Sequence, residues 1–226
     1  TATTMSFRST RFGTFGIARS QIRSLQRAGG SGVIFSGLRG MKDWQAAFHR
    51  PTNNNGRRVL GRGGIVRAEI AEDADSASEA DSKIWSELPD GSLITKKADA
   101  AIFLPLELPE KYEIEFEVRS TKPIGFLMAI GRNPKYSLRI ETWVDVLVAA
   151  KHSFKQLKLI GEKDLSVHLY AFVDQTANIM QVYGDTGEKL GEISTKGQKT
   201  DSDGLMFRNG DFDLTIHRLR VNHWDG

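Results

Sequence analysis

Tyr112-Glu113-Ile114-Glu115-Phe116-Glu117-Val118 alternates apolar and acidic side chains without a break. Because successive side chains of a β-strand point to opposite faces, the four apolar residues are predicted to share one face and the three glutamates the other. An α-helix would distribute the same residues around its axis. The segment therefore predicts a strand with one buried face and one acidic face.

Further apolar or alternating segments follow one another through the chain, with turn-forming residues such as Asp90-Gly91 and Asn209-Gly210 between them. The predicted strands are 92–95, 100–106, 125–130, 136–143, 146–149, 154–160, 166–173, 179–183, 190–193, 205–208 and 212–221. No segment keeps a helical period over a dozen residues. The sequence thus predicts an all-β chain folded as a two-sheet antiparallel sandwich.

The last predicted strand contains an irregularity. Leu214 and Ile216 occupy even-numbered positions, whereas Leu219 and Val221 occupy odd-numbered positions. In a regular strand, even and odd positions point to opposite faces. A regular strand cannot bury both pairs on the same face. One extra residue would restore the alternation, so a β-bulge is predicted near His217-Arg218.

The composition excludes several classes of protein. With 226 residues, 39% of them hydrophobic and 26% charged, the chain has the make-up of a folded globular protein. Its longest apolar runs, 100–106 and 125–131, are too short to span a bilayer as a helix. Because it contains no cysteine, disulfides, thiolate metal sites and cysteine nucleophiles are excluded.

Positive charge is concentrated at the start of the chain. Residues 1–67 contain twelve Lys and Arg and one acid, a net charge of +11, and the remaining residues carry −8. A basic arm of this kind is typical of two roles. One is binding to nucleic acid or an anionic surface, and the other is docking on the acidic remainder of its own chain or of another copy. Docking is favoured over nucleic acid, because the arm lacks interleaved aromatic residues that stack on bases. The arginines predicted to take part are Arg8, Arg11, Arg19, Arg23, Arg27, Arg57 and Arg58.

The patterning divides the chain into two parts. Residues 1–32 predict a basic β-hairpin extension that ends in a glycine-rich joint. Residues 33–226 predict the sandwich. Within it, 51–64 is predicted to be a loop rich in Arg, Gly and Asn, and 69–82 an acidic loop.

The order of the patterns resembles a known group of domains. The resemblance rests on Trp85, the segments 88–94, 112–118, 125–131 and 136–143, and the closing segments 204–210 and 214–221. They are similar to laminin-G-like, concanavalin A-like jelly-roll domains, and most similar to those of secreted bacterial multidomain proteins related to the 3-keto-disaccharide hydrolase family. The resemblance implies a jelly-roll fold, export from the cytoplasm or location in the cell envelope, and carbohydrate binding or processing. Since the chain opens at Thr1 without a charged-then-apolar leader, the implied export signal is expected to lie outside this chain or to have been removed.

The candidate catalytic residues are Glu113, Glu115 and Glu117. They resemble the E-x-D-x-E strand motif of laminarinase-type glycosidases, with Glu115 where an Asp is expected. Same-face neighbours on a strand lie about 7 Å apart, whereas a retaining glycosidase holds its two carboxyl groups about 5–5.5 Å apart across the sugar. A solvated or arginine-paired face is therefore favoured over catalysis.

The alternation of side chains along the strands also predicts a binding surface on the outer side of the sandwich. If the apolar residues of the strands face the core, other side chains face outward. The candidates for carbohydrate binding are Arg139, Glu141, Trp143, His168, Tyr170, Gln181 and Tyr183. Together with the three glutamates, they are predicted to form one sheet face that offers aromatic rings to apolar sugar surfaces and polar groups to hydroxyls.

The alternative is that this face is covered by the N-terminal segment or by another subunit. Tyr170 and Phe172 would then pack beneath the cover, and the glutamates would pair with its arginines. Cover is favoured, which predicts a non-enzymatic binding or assembly module. Carbohydrate binding is the second interpretation and glycoside hydrolysis the third.

No cofactor is predicted. The five histidines are scattered without the spacing of a zinc site. Asp201-Ser-Asp-Gly204 resembles half a calcium loop, as do Asp73 and Asp75, but neither has the bidentate Glu at the required offset. Plain turns are favoured, with a calcium ion as the alternative.

Overall fold

The computed structural model describes residues 4–9, 13–18, 32–38, 40–47, 84–132, 137–194 and 203–225. The chain divides into two compact units, residues 1–31 and residues 32–226. The first unit contains an antiparallel hairpin of β1 (Thr4–Ser9) and β2 (Gly13–Ala18). The predicted loops at 51–64 and 69–82 lie outside the described residues. No helix in the described ranges combines the length and apolarity of a membrane span.

The second unit is a sandwich of two antiparallel sheets. The seven-stranded sheet has the order β12-β11-β10-β9-β16-β7-β4. Its strands are β4 (Gln45–Ala46), β7 (Ala101–Pro105), β9 (Phe126–Ile130), β10 (Arg139–Trp143), β11 (Val146–Ala150), β12 (Phe154–Leu159) and β16 (Gly204–Asn209). A single turn of 3-10 helix, Met41–Asp43, precedes β4.

The eight-stranded sheet has the order β15-β14-β13-β8-β17-β6-β5, and β3 also pairs with β17. Its strands are β3 (Val33–Ser36), β5 (Ser86–Glu87), β6 (Leu93–Thr95), β8 (Lys111–Arg119), β13 (Ser166–Asp174), β14 (Ile179–Gly184), β15 (Lys189–Ser194) and β17 (Leu214–His223). The two sheets confirm the predicted all-β sandwich, and most strand ends fall within two residues of the predicted ones.

The main core lies between the sheets, and β8 shows how it forms. Its four apolar side chains are fully buried, as the alternation predicts. Phe116 makes edge-to-face contacts across the sandwich with Phe126 and Phe207, at centroid distances of 6.0 and 5.8 Å. Such aromatic pairs contribute about 0.5–1.5 kcal/mol each beyond the burial of their area.

The predicted β-bulge is present in β17. Val118 pairs with Ile216, but the next residue of β8, Glu117, pairs with Arg218, so His217 is the extra residue. The apolar residues on both sides of the bulge therefore face the core, at 0–1% exposure. The bulge also directs the polar residues that follow it to the outer face, next to the glutamates of β8.

The outer face of the seven-stranded sheet carries a second apolar cluster. Its members are Ala47, Ala101, Phe103, Leu127, Ala129 and Met206, each at most 7% exposed. The guanidinium of Arg132 lies 4.3 Å from the Phe103 ring centroid. Because β7 and β9 are buried on both faces, their sequences are continuously apolar rather than alternating.

Candidate functional site

The outward side chains of β8, β13, β14 and β17, together with Trp224, form the surface that we call the glutamate face. Strand pairing aligns them in three rows across the sheet. The rows are His168–Glu117–Arg218, Tyr170–Glu115–Arg220 and Phe172–Glu113–Asn222. Gln181 extends the last row on β14. Each row thus places one glutamate between a ring from β13 and a polar side chain from β17.

Glu115 is the buried centre of this face, with only 3% of its surface exposed. Its Oε1 accepts hydrogen bonds from Arg218 Nη1 at 2.9 Å and from the Tyr170 hydroxyl at 3.5 Å, and His168 Nε2 lies 3.1 Å away. Burial, with the negative charge of Glu115 as a smaller cause, raises the pKa of Tyr170. A buried carboxyl group needs such hydrogen-bond partners, so the cluster holds Glu115 in place.

The other two glutamates differ in their partners. Glu117 Oε1 accepts from both Nε and Nη2 of Arg119 at 2.7 Å, in a largely exposed ion pair. Glu113 Oε2 accepts one hydrogen bond, from Asn222 Nδ2 at 3.3 Å. Burial raises the pKa of Glu113, and the neighbouring Glu115 adds to the effect. Catalysis by these glutamates stays a prediction, and two of the three are held by arginines.

Aromatic side chains extend along the row of Glu113. Phe172 packs against Tyr183 on one side and Trp224 on the other, at centroid distances of 5.4 and 5.3 Å. We call these three residues the aromatic row. The Tyr183 hydroxyl donates to Gln181 Oε1 at 3.2 Å, which fixes both side chains. All three rings are partly exposed and lie beside a carboxylate and two amides.

The structure brings only part of the predicted binding residues together. His168, Tyr170, Gln181 and Tyr183 lie on the glutamate face with the three glutamates.

The remaining candidates, Arg139, Glu141 and Trp143, lie on β10, and so on the outer face of the opposite sheet. The prediction of a single face was therefore wrong. The predicted outward direction of each side chain was correct. The alternation within a strand, however, does not indicate to which of the two sheets the strand belongs.

On β10 the predicted residues form their own contacts. Arg139 Nε donates to Glu141 Oε1 at 2.9 Å. The ring of Trp143 packs against Phe154 at a centroid distance of 4.8 Å. This second surface is an ion pair beside an aromatic pair, separated from the glutamate face by the whole sandwich.

Five residues that the site uses were not among the sequence candidates: Phe172, Arg218, Arg220, Asn222 and Trp224. For Phe172 the alternation of β13 was the available signal. For the three residues of β17 it was the bulge, because burial of Leu219 and Val221 requires residues 218, 220 and 222 to face outward.

The expectation that the glutamates pair with N-terminal arginines is corrected for two of them. Glu115 and Glu117 are paired with Arg218 and Arg119, which belong to the sandwich itself. The side chains of the seven arginines predicted to dock lie outside the described residues. So do Asp73, Asp75 and the start of the 201–204 turn, while the described ranges hold no group of three or more potential metal ligands.

No family model and no curated protein matches this chain. Solved structures match it in fold. A sialidase matches with a TM-score of 0.51 and 13% identity over 66% of this chain, which spans 18% of the sialidase. Carbohydrate-binding module CBM66 from Bacillus subtilis matches with a TM-score of 0.45 and 8% identity, covering 61% of this chain and 90% of the module. Alginate lyase AlgAT5 of polysaccharide lyase family 7 matches with a TM-score of 0.43 and 12% identity, covering 81% of this chain and 95% of the lyase.

The two antiparallel sheets define the class of fold: the chain is a jelly-roll β-sandwich, a fold that it shares with part of the sialidase. At these identities the similarity concerns the fold alone. The narrower expectation, kinship with the 3-keto-disaccharide hydrolases, stays a prediction.

Proposed function

We propose that the protein is a non-enzymatic carbohydrate-binding module whose ligand lies along the aromatic row of the glutamate face. One observation carries the proposal: three partly exposed rings pack in a row whose central ring, Phe172, lies between Glu113 and Gln181 in the sheet. Sugar rings present apolar C–H surfaces and a rim of hydroxyls, so they need aromatic faces and hydrogen-bonding groups together.

Binding is favoured over hydrolysis by the partners of the glutamates. A glycosidase of the usual kind works with two carboxyl groups on either side of the scissile bond. Glu115 is buried under Arg218, His168 and Tyr170, and Glu117 is paired with Arg119, so neither is available for this role. That leaves Glu113, and a single carboxylate serves better as a hydrogen-bond acceptor for a ligand than as half of a catalytic pair.

A glycan array followed by titration calorimetry tests the proposal. Phe172→Ala and Trp224→Ala are each expected to weaken the binding of an array hit about tenfold or more, which corresponds to about 1.4 kcal/mol. Trp143→Ala is the matched control, because it removes an indole from the opposite sheet. Loss of binding in the Trp143 variant with full binding in the Trp224 variant would move the site to the other face. Silence on a broad array would contradict the proposal.

A second candidate function is assembly through the basic N-terminal segment, as a structural protein of the cell envelope. The division of charge between residues 1–67 and the rest of the chain favours it. Light scattering at about 50 mM and 500 mM salt, over which screening increases strongly, is the test. A discrete assembly that dissociates in high salt would support it, and a monomer at both concentrations would contradict it. The secreted or envelope location implied by the resemblance stays a prediction.

A further inference from the structure

We propose that the ligand is a glycan of amino sugars, and that Glu113 binds its ammonium group against the aromatic row. This rests on the carbohydrate binding proposed above. Three features of the site point to this ligand: the partners of Glu113, the ring beside it, and the contacts of the neighbouring cations.

Glu113 stands apart from the two glutamates that share its strand face. Glu115 and Glu117 each have an arginine, whereas no ion pair joins Glu113 to any cation among the described residues. Within the described part of the chain it accepts one side-chain hydrogen bond, from Asn222, which is long at 3.3 Å. A half-buried carboxylate loses hydration that a single long hydrogen bond does not replace. A ligand that brings a positive charge or strong donors would replace it.

The rings beside Glu113 favour a positive charge over a neutral donor. Phe172 is its direct cross-strand neighbour, and Trp224 packs against Phe172 at 5.3 Å. The face of an aromatic ring attracts a cation within about 6 Å of its centroid, and tryptophan does so most strongly. A carboxylate next to such rings therefore holds an ammonium group by two attractions that act together.

The cations closest to Glu113 along the sheet each contact another side chain, although the charge of Arg220 also attracts Glu113. Arg218 donates to Glu115 at 2.9 Å, and Lys111 Nζ lies 3.3 Å from Asp174 Oδ2. Arg220 Nε donates to Asn222 Oδ1 at 2.9 Å, and that amide is the one that bonds Glu113. An acidic sugar bound against Phe172 would bring its carboxylate next to that of Glu113, its cross-strand neighbour. The arrangement thus selects against uronates and for amines.

Three tetrasaccharides with the same β-1,4 linkage test the inference by calorimetry on the full chain. They are built of glucosamine, N-acetylglucosamine and glucose, and differ only in the group at carbon 2. At a pH where the amines are protonated, the glucosamine tetramer is expected to bind at least about tenfold more tightly than the glucose tetramer. In Glu113→Gln this preference is expected to disappear, because the amide keeps a hydrogen-bond acceptor but carries no charge.

Glu117→Gln is the matched control, since it removes the same charge from the same strand face but from a carboxylate held by Arg119. It is expected to keep the preference, and thermal melts establish that both variants fold. Equal affinities for the three tetramers in the wild-type protein, or a preference that survives Glu113→Gln, would overturn this inference alone. Neutral glycans bound on the array without affinity for the glucosamine tetramer would do the same. Absence of any glycan binding would overturn the proposed function as well.

Discussion

Arg218 Nη1 donates a hydrogen bond to Glu115 Oε1 at 2.9 Å, although the two residues are 103 positions apart in the chain. The contact exists because the bulge at His217 shifts the register of β17 by one residue. That shift buries Leu219 and Val221 and at the same time directs Arg218 outward over β8. One irregularity in the ladder therefore completes the core and neutralises the buried carboxylate.

Loss of this hydrogen bond is expected to destabilise the protein. Arg218→Ala removes the guanidinium and leaves His168 and Tyr170 as the side-chain partners of Glu115 among the described residues. We expect the free energy of unfolding to fall by about 1–3 kcal/mol. The half-exposed guanidinium keeps the effect below that of a fully buried ion pair. Chemical denaturation measures it. Arg119→Ala, which breaks an exposed ion pair on the same face, should lower the free energy of unfolding by at most about 1 kcal/mol. Equal losses in the Arg218 and Arg119 variants would contradict the stabilising role of the Arg218–Glu115 contact.

Deleting His217 is expected to be far more damaging than changing its side chain. The deletion removes the extra residue, so that either Leu219 and Val221 or Leu214 and Ile216 must turn away from the core. Each exposed aliphatic side chain costs about 1.5–3 kcal/mol, and two of them approach the stability of a typical domain. His217→Ala keeps the residue count and should melt within a few degrees of the wild type. A folded deletion variant with unchanged melting would refute this role of the bulge.

The charge on Glu113 is expected to lower the stability of the fold at neutral pH. Because burial raises the pKa of Glu113, the folded protein holds this proton more tightly than the unfolded chain does. Stability therefore falls as the pH rises from the ordinary pKa of a glutamate through the raised pKa in the fold. Glu113→Gln should melt higher than the wild type at about pH 7, and the difference should vanish near pH 4. A variant that melts lower at neutral pH would show that the ionised carboxylate stabilises the fold.

Asp213 is expected to have the opposite pH dependence. Burial opposes its charge, but hydrogen bonds from the Thr121 side chain and backbone and from the Ser120 hydroxyl outweigh it and lower the pKa of Asp213. The ionised Asp213 therefore adds to the free energy of unfolding above the ordinary pKa of an aspartate. This contribution is lost as the pH falls through the lowered pKa in the fold.

Asp213→Asn should lower the free energy of unfolding by about 1–3 kcal/mol at neutral pH, and by less in acid. Denaturation curves at several pH values measure the trend. Asp185→Asn, in an exposed turn, serves as the control and should follow the wild type throughout. A cost for Asp213→Asn that does not change with pH would contradict the assignment.

Much of this fold could be predicted from local pattern. The alternation in 112–118 established a half-buried strand, and the parity change between Ile216 and Leu219 located the bulge, because both depend only on the two-residue period of a strand. The same period correctly assigned the outward direction of His168, Tyr170 and Trp143.

The site itself depended on which strands are neighbours. That Arg218 meets Glu115 and that Trp224 meets Phe172 follow from the pairing of β17 and β13 with β8. That Trp143 lies on the opposite sheet follows from the pairing of β10 with β9 and β11. The sequence alone determined the faces of each strand, since the backbone pleat sets them residue by residue. Only the tertiary structure decided the strand order, because pairing between distant segments depends on how all the strands together bury their apolar faces.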